Sequence, residues 1–111
     1  MTIIPLQQTA RVTLGANGIG QVTLSPQVFG ASWHITQTVV NSDSTSQTQF
    51  KLYLNNTNDG SIVDATYSGN QDASDTKYDL RSTDTIIGIW TGGSNGAHCT
   101  LNIYGTVDTG R

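Results

Sequence analysis

The sequence predicts an all-β fold, an antiparallel β-sandwich of about eight strands of jelly-roll type, and three observations carry that expectation. Short segments of alternating apolar and polar residues recur along the chain, separated by clusters of Gly, Asn, Asp, Ser and Pro. No segment keeps the spacing of an amphipathic helix for three turns. The composition agrees: there is no glutamate, and Thr, Ser, Asn and Gln fill 43 of the 111 positions. Short polar side chains compete for the backbone's own hydrogen bonds, so they favour strands, caps and turns over helix interiors.

Residues 1–8 show no period. Ile3, Ile4, Pro5 and Leu6 form an apolar cluster that reads as an extended N-terminal arm, leaving residues 9–111 as a single sandwich domain without repeat or linker. Ala10, Val12 and Leu14 then alternate with Arg11 and Thr13, and alternation resumes at Val22 and Leu24 after a glycine-rich stretch containing Asn17-Gly18. A hairpin is expected there, because Asn-Gly supplies the positive backbone angles of a tight turn.

Residues 30–41 form the longest expected strand, with Trp33, Ile35 and Val39 on one face and His34, Thr36, Thr38 and Val40 on the other; Gln37 interrupts the apolar face. After a polar loop, Phe50, Leu52 and Leu54 alternate with Lys51 and Tyr53. Residues 55–60 turn the chain, residues 62–67 form a weaker strand, residues 69–76 a loop and residues 77–80 a short strand. Residues 85–91 carry Ile86, Ile87, Ile89 and Trp90. After the turn at 92–96, the last strand places Ala97, Cys99, Leu101 and Ile103 inward and His98, Thr100, Asn102 and Tyr104 outward.

Charge and length exclude several classes. A net charge of -3 and five basic residues cannot form the basic stripe that phosphate neutralisation requires, so no nucleic-acid partner is expected. No stretch approaches the ~18 apolar residues of a membrane-spanning helix, and the start carries no basic leader, so synthesis in a cytoplasm and no membrane partner are expected. Asn55-Asn56-Thr57 matches a glycosylation sequon, read here as a turn. Cys99 is the single cysteine and reads as a buried strand thiol.

The groups able to do chemistry are few. His34 and His98 both fall on outward positions, with no nucleophile or carboxylate nearby in sequence to complete a triad. Asp72, Asp75 and Asp79, and Asp59 with Asp64, make loose acidic clusters without the ligand spacing of a calcium loop, and capping of turns accounts for them. Asp72 and Asp75 are too poorly framed for a glycosidase pair. The glycine-rich stretches at 15–20 and 92–96 precede no helix, lack the Lys-Ser/Thr of a phosphate cradle and read as hairpin turns. No metal, no cofactor and no catalytic residue is expected. Trp33, Trp90, Tyr53, Tyr67, Tyr78 and Tyr104 can offer a sugar platform, but Trp33 is in phase with Ile35 and reads as core, whereas Tyr53 and Tyr104 point outward.

The strings Gly20-Gln-Val-Thr-Leu-Ser-Pro26, Trp33-His-Ile-Thr followed by Val39, Phe50-Lys-Leu-Tyr-Leu54, Tyr67-Ser-Gly-Asn-Gln-Asp72 and Ile89-Trp-Thr-Gly-Gly93 together resemble small all-β virion proteins of tailed bacteriophages, over most of residues 9–107. These are strand and turn signatures, and no catalytic residue comes with them. The resemblance implies a minor capsid or decoration protein, or a module at the tip of a fibre or tail spike, and assembly as a homotrimer in a virion made in the bacterial cytoplasm. Its partners would be other copies of itself and the phage major capsid protein or another virion protein. The alternative is a module reading host surface glycans. The binding residues expected are Ile3, Ile4 and Leu6 as a latch, Val40, Tyr53 and Tyr104 as outward apolar groups, and Trp90 as part of a glycan platform.

Overall fold

A computed structural model describes residues 3–26, 30–66, 69–75 and 77–109. Among the described residues nine strands follow in order: β1 (Ile3–Thr13), β2 (Gly20–Leu24), β3 (Ser32–Ser42), β4 (Gln49–Leu54), β5 (Ile62–Thr66), β6 (Gln71–Ser74), β7 (Tyr78–Arg81), β8 (Ile86–Thr91) and β9 (His98–Asp108). They form two antiparallel sheets. Sheet A has the order β1-β9-β3-β6, with β7 also paired to β3, and sheet B has the order β2-β8-β4-β5.

The chain changes sheet at most connections, and β4 with β5 is the one consecutive pair hydrogen-bonded together among the described residues. This is the crossing pattern of a jelly-roll sandwich. Among the described residues no helix is long and apolar enough to cross a membrane.

Two alternating apolar faces meet between the sheets. Leu101, Ile103, Ile35, Val40 and Leu80 from sheet A pack against Val22, Phe50, Leu52, Ile86 and Trp90 from sheet B. The Trp90 ring lies 4.6 Å from Phe50, tilted by 53°, and its Nε1 donates to the Gly69 carbonyl at 3.0 Å, so the one polar atom of a buried indole is satisfied. Cys99 is buried, as its phase requires, and burial pushes its thiol pKa up.

The sheets differ in length. β1, β3 and β9 each have 11 residues, about 36 Å at ~3.3 Å per residue, whereas the strands of sheet B have 5 or 6. The molecule is accordingly elongated, 45 × 24 × 20 Å.

Four expectations are corrected. The N-terminal arm is the first half of β1: Ile3–Gln8 pair with β9 from Asp108 back to Ile103. The alternation that would have revealed a strand fades there because the long sheet A outruns sheet B, leaving little to bury. Residues 1 and 2 lie outside the described residues. The loop expected over 69–76 contains β6, a four-residue strand with no large apolar side chain to announce it. The glycine-rich stretches at 15–20 and 92–96 are no hairpins, because β1 pairs with β9 and β2 with β8, so that both connections change sheet. The first arches between the sheets and docks on the second such arch, with Gly93 N–H donating to Gly18 O at 3.1 Å. Gly18 has φ 72°, and a Cβ on it would overlap the Gly93 carbonyl.

The fourth correction concerns the phase of β3. Its register against β9 shifts between Ile35 and Gln37, so Thr36 is an extra residue, a β-bulge. A one-residue insertion exchanges the two faces of everything beyond it. The inward set is therefore Trp33, Ile35, Thr38 and Val40, and Val39 faces outward. The buried Thr38 hydroxyl lies 3.3 Å from the Tyr78 hydroxyl, and burial pushes the Tyr78 pKa up to about 12.

Gly105, opposite Ile35, admits this bulge: a Cβ there would overlap the His34 carbonyl oxygen, which is backbone and cannot swing away. Gly105→Ala should therefore lower stability by about 1–3 kcal/mol, read as a lower urea midpoint by circular dichroism. Gly60→Ala, where the added Cβ meets open space, should stay within about 0.5 kcal/mol of the parent. Equal midpoints for the two variants would refute the account of the bulge.

Candidate functional site

The expected binding residues do not form one surface. Ile3 and Ile4 are 53% and 45% exposed at the start of β1. Successive residues of a strand point to opposite faces, so Ile3 joins the outer face beside Asp108, and Ile4 the inner face beside Val107. Leu6 is buried in the core and cannot serve as a free latch. The inner face continues across sheet A from Ile4 through Val107 and Trp33 to Leu80, all in register, so Ile4 is the exposed end of an apolar row that is partly buried at Val107 and buried at Trp33 and Leu80.

Val40, expected outside, is fully buried because of the bulge at Thr36. Trp90, expected in a glycan platform, is also fully buried, at the centre of sheet B on its inner face. Tyr53 does lie on the outer face of sheet B, but only 8% of it is exposed; its cross-strand neighbours are Ile87 and Ile62. Tyr104 sits on the outer face of sheet A between Gln7 and Gln37, partly buried. Trp33 and Tyr78 are core or partly core, and Tyr67 lies outside the described residues.

The outer face of sheet A is largely polar. Its cross-strand rows read Pro5, Thr106, His34, Asp79; then Gln7, Tyr104, Gln37; then Thr9, Asn102, Val39, Ala73; then Arg11, Thr100, Asn41, Gln71. Thr9 Oγ1 donates to Asn102 Oδ1 at 2.7 Å within this face. The surface is neutral over most of its area.

Among the described residues two histidine–aspartate pairs sit at its ends, and nothing in the adjacent sequence signals them. His34 Nδ1 lies 2.8 Å from Asp79 Oδ1, across 45 residues of chain. His98 Nδ1 lies 3.0 Å from Asp43 Oδ2 across 55 residues, and the His98 backbone N–H donates to Asp43 Oδ1 at 2.6 Å. All four side chains are solvent-exposed. The backbone bond first, then the imidazole, holds the Asp43 carboxyl below its usual range. This pair pins the start of the 43–48 loop to β9, with Asp43 N–H donating to His98 O at 3.1 Å.

The acidic clusters do not converge. Among the described residues no three His, Cys or Asp side chains come together as a metal group. Asp64 stands opposite Leu52 on β5, with one carboxylate oxygen out of water and without a hydrogen-bond partner. Asp84 is a turn lock: its Oδ2 accepts the Arg81 N–H at 2.9 Å and its Oδ1 the Asn55 side-chain amide at 3.1 Å.

No protein-family model and no curated protein matches the chain. Solved structures do resemble it. The mitogen of Yersinia pseudotuberculosis superposes with a TM-score of 0.52 at 14% identity, over 90% of this chain and 86% of the mitogen. The Drosophila NLP core, whose structure concerns pentamer formation and histone binding, gives 0.43 at 16% identity, over 91% and 95%. A weaker likeness extends to infectious bursal disease virus, at 0.31 and 12% identity, where the chain spans 96% of itself and 32% of the viral protein. At 14% identity the likeness to the mitogen shows a shared β-sandwich fold alone and carries no activity with it.

The Asp43 contact gives a pH prediction whose sign follows from the lowered pKa. A carboxyl held below its unfolded value of 3.8 contributes stability above that value and loses it as the pH falls through the lower, folded one. Asp43→Ala should therefore unfold at lower urea than the parent at pH 7, and the two midpoints should converge as the pH drops below about 3.8. A gap that persists unchanged at pH 2 would contradict this assignment.

Proposed function

We propose that this chain is a non-catalytic structural component of a phage virion, a capsid decoration or minor capsid protein that braces its particle through subunit contacts repeated by symmetry. The observation that carries this reading is the position of Ile3 and Ile4. Two large, exposed apolar side chains stand side by side at the end of an edge strand, one on each face of the sheet. An edge strand also presents main-chain donors and acceptors, so a neighbouring subunit gains a hydrogen-bond ladder and apolar burial at one place.

The rest of the surface suits that work. The outer face of sheet A carries Thr, Gln and Asn with little charge, and contacts made there depend weakly on salt. The resemblance of most of residues 9–107 to small all-β virion proteins of tailed phages points the same way. Catalysis is not favoured, because both histidine–aspartate pairs lie open to water, where a reacting group would be neither enclosed nor oriented. A glycan platform has lost its indole, since Trp90 is spent in the core.

The test is co-sedimentation of the purified chain with virions and empty shells of the phage that encodes it. A double variant, Ile3→Ser with Ile4→Ser, should attach at least about tenfold more weakly, given ~1.5–3 kcal/mol per buried isoleucine, with its thermal melt nearly unchanged. Full attachment of the double variant, or no attachment of the parent, would overturn the reading.

A further inference from the structure

We infer that β1 pairs with β1 of a second copy of this chain, antiparallel and edge to edge, about a two-fold axis through Gln8. The inference rests on the assembly reading above and names the first partner in it. Among the described residues β1 is paired along one side only, to β9, and the other side of its 11 residues is a free edge.

Such edges are usually guarded by charged side chains, prolines, inward charges or bulges. This one carries only Arg11 and Pro5 against pairing: its register with β9 is unbroken from Ile3 to Thr13, no charge points inward, and Pro5 is the one residue without an N–H.

The pattern of the strand fits itself. Gln8 is the midpoint of Ile3–Thr13, so an axis there uses the whole edge. Even-numbered residues of β1 face inward, in register with Leu101, Ile103 and Val107, and the axis preserves that face. Ile4 then falls opposite Val12 of the second copy, Leu6 opposite Ala10, and Gln8 opposite Gln8. On the outer face Ile3 meets Thr13, Pro5 meets Arg11, and Gln7 meets Thr9. The exposed end of the row thus gains an apolar neighbour from the half-buried end of the same strand. A pairing slipped by one residue would set inner positions against outer ones.

Charge permits this register. The two Arg11 side chains lie about 20 Å apart along the strand at ~3.3 Å per residue, beyond the ~8 Å screening length of physiological salt. An edge that meets its own copy closes with two-fold symmetry, whereas the three-fold assembly implied by the family resemblance requires two different edges. The pairing would extend sheet A into one sheet of twice the width.

The experiment is disulfide trapping in the full chain, with Gln8→Cys and Arg11→Cys compared with the parent. The native Cys99 is buried, so the parent reports background. Facing residues of antiparallel strands hold their Cα atoms about 4.5–5.5 Å apart, within disulfide reach. Mild oxidation should therefore convert most of Gln8→Cys to a covalent dimer on a non-reducing gel, and leave Arg11→Cys and the parent monomeric. Light scattering should give twice the monomer mass for the parent, and the monomer mass for Ile4→Lys.

Equal trapping of the two cysteine variants, or a monomeric parent at the concentration at which it attaches to shells, overturns the inference. Shell attachment without trapping at Gln8 rejects this pairing and leaves the assembly reading standing. Trapping at Gln8 without shell attachment supports the pairing and rejects that reading.

Discussion

Thr36 enters β3 as one residue more than β9 can oppose, and the arrangement of sheet A depends on how that surplus is accommodated. Before the bulge β3 pairs with β7 through Ser32–Ile35; after it, β3 pairs with β6 through Thr38–Asn41. The same residue brings Val40 inward and turns Val39 out. Gly105 makes this possible, because only a residue without a side chain lets the bulged backbone come so close. One insertion and one glycine therefore set the face of half a strand and divide the sheet's edge between two short strands.

The abundance of serine, threonine and asparagine is partly a structural material. At the end of the sandwich where the arches meet, Ser94 Oγ donates to Ser44 Oγ at 3.2 Å and accepts the Thr45 N–H at 3.1 Å. Ser46 Oγ donates to Gly92 O at 2.8 Å. Asn70 takes the Thr48 N–H on its Oδ1 and gives its amide to the Ser44 and Ser46 carbonyls. Long connections between sheets leave backbone groups without ladder partners, and short polar side chains satisfy them locally. A composition that reads as a neutral skin is in this region the lock that closes loop 43–48 onto its neighbours.

The asymmetry between the sheets has a functional consequence. Sheet B is short and covers only part of the inner face of sheet A, so the buried rows of sheet A run out toward Ile4. An edge strand that is also longer than its cover keeps both its hydrogen-bonding groups and an apolar end available, and these are the two ingredients of strand addition. The histidine–aspartate pairs, the turn lock at Asp84 and the satisfied indole of Trp90 all serve to hold the sandwich together. Among the described residues the large apolar side chains left exposed are Ile3 and Ile4 at the start of β1 and Ile19 in the arch before β2.

Much of this was legible in the residues, and the failures share a cause. The period-two alternation in 97–104 and 50–54, the turn glycines and the absence of helical spacing determined the class, the core of β4 and β9, the buried Cys99 and the outward histidines. Those features are local, because a strand that packs on one side records its orientation in its own sequence. Tertiary structure alone decided the rest: that the glycine-rich turns arch between sheets, that Thr36 is surplus, that Tyr53 is covered by Ile62 and Ile87, and that each histidine meets an aspartate 45 or 55 residues away. Such facts depend on which strands become neighbours. Backbone pairing is nearly blind to side-chain identity, so the choice of partner is settled by the packing of both sheets at once and leaves little trace in any one segment.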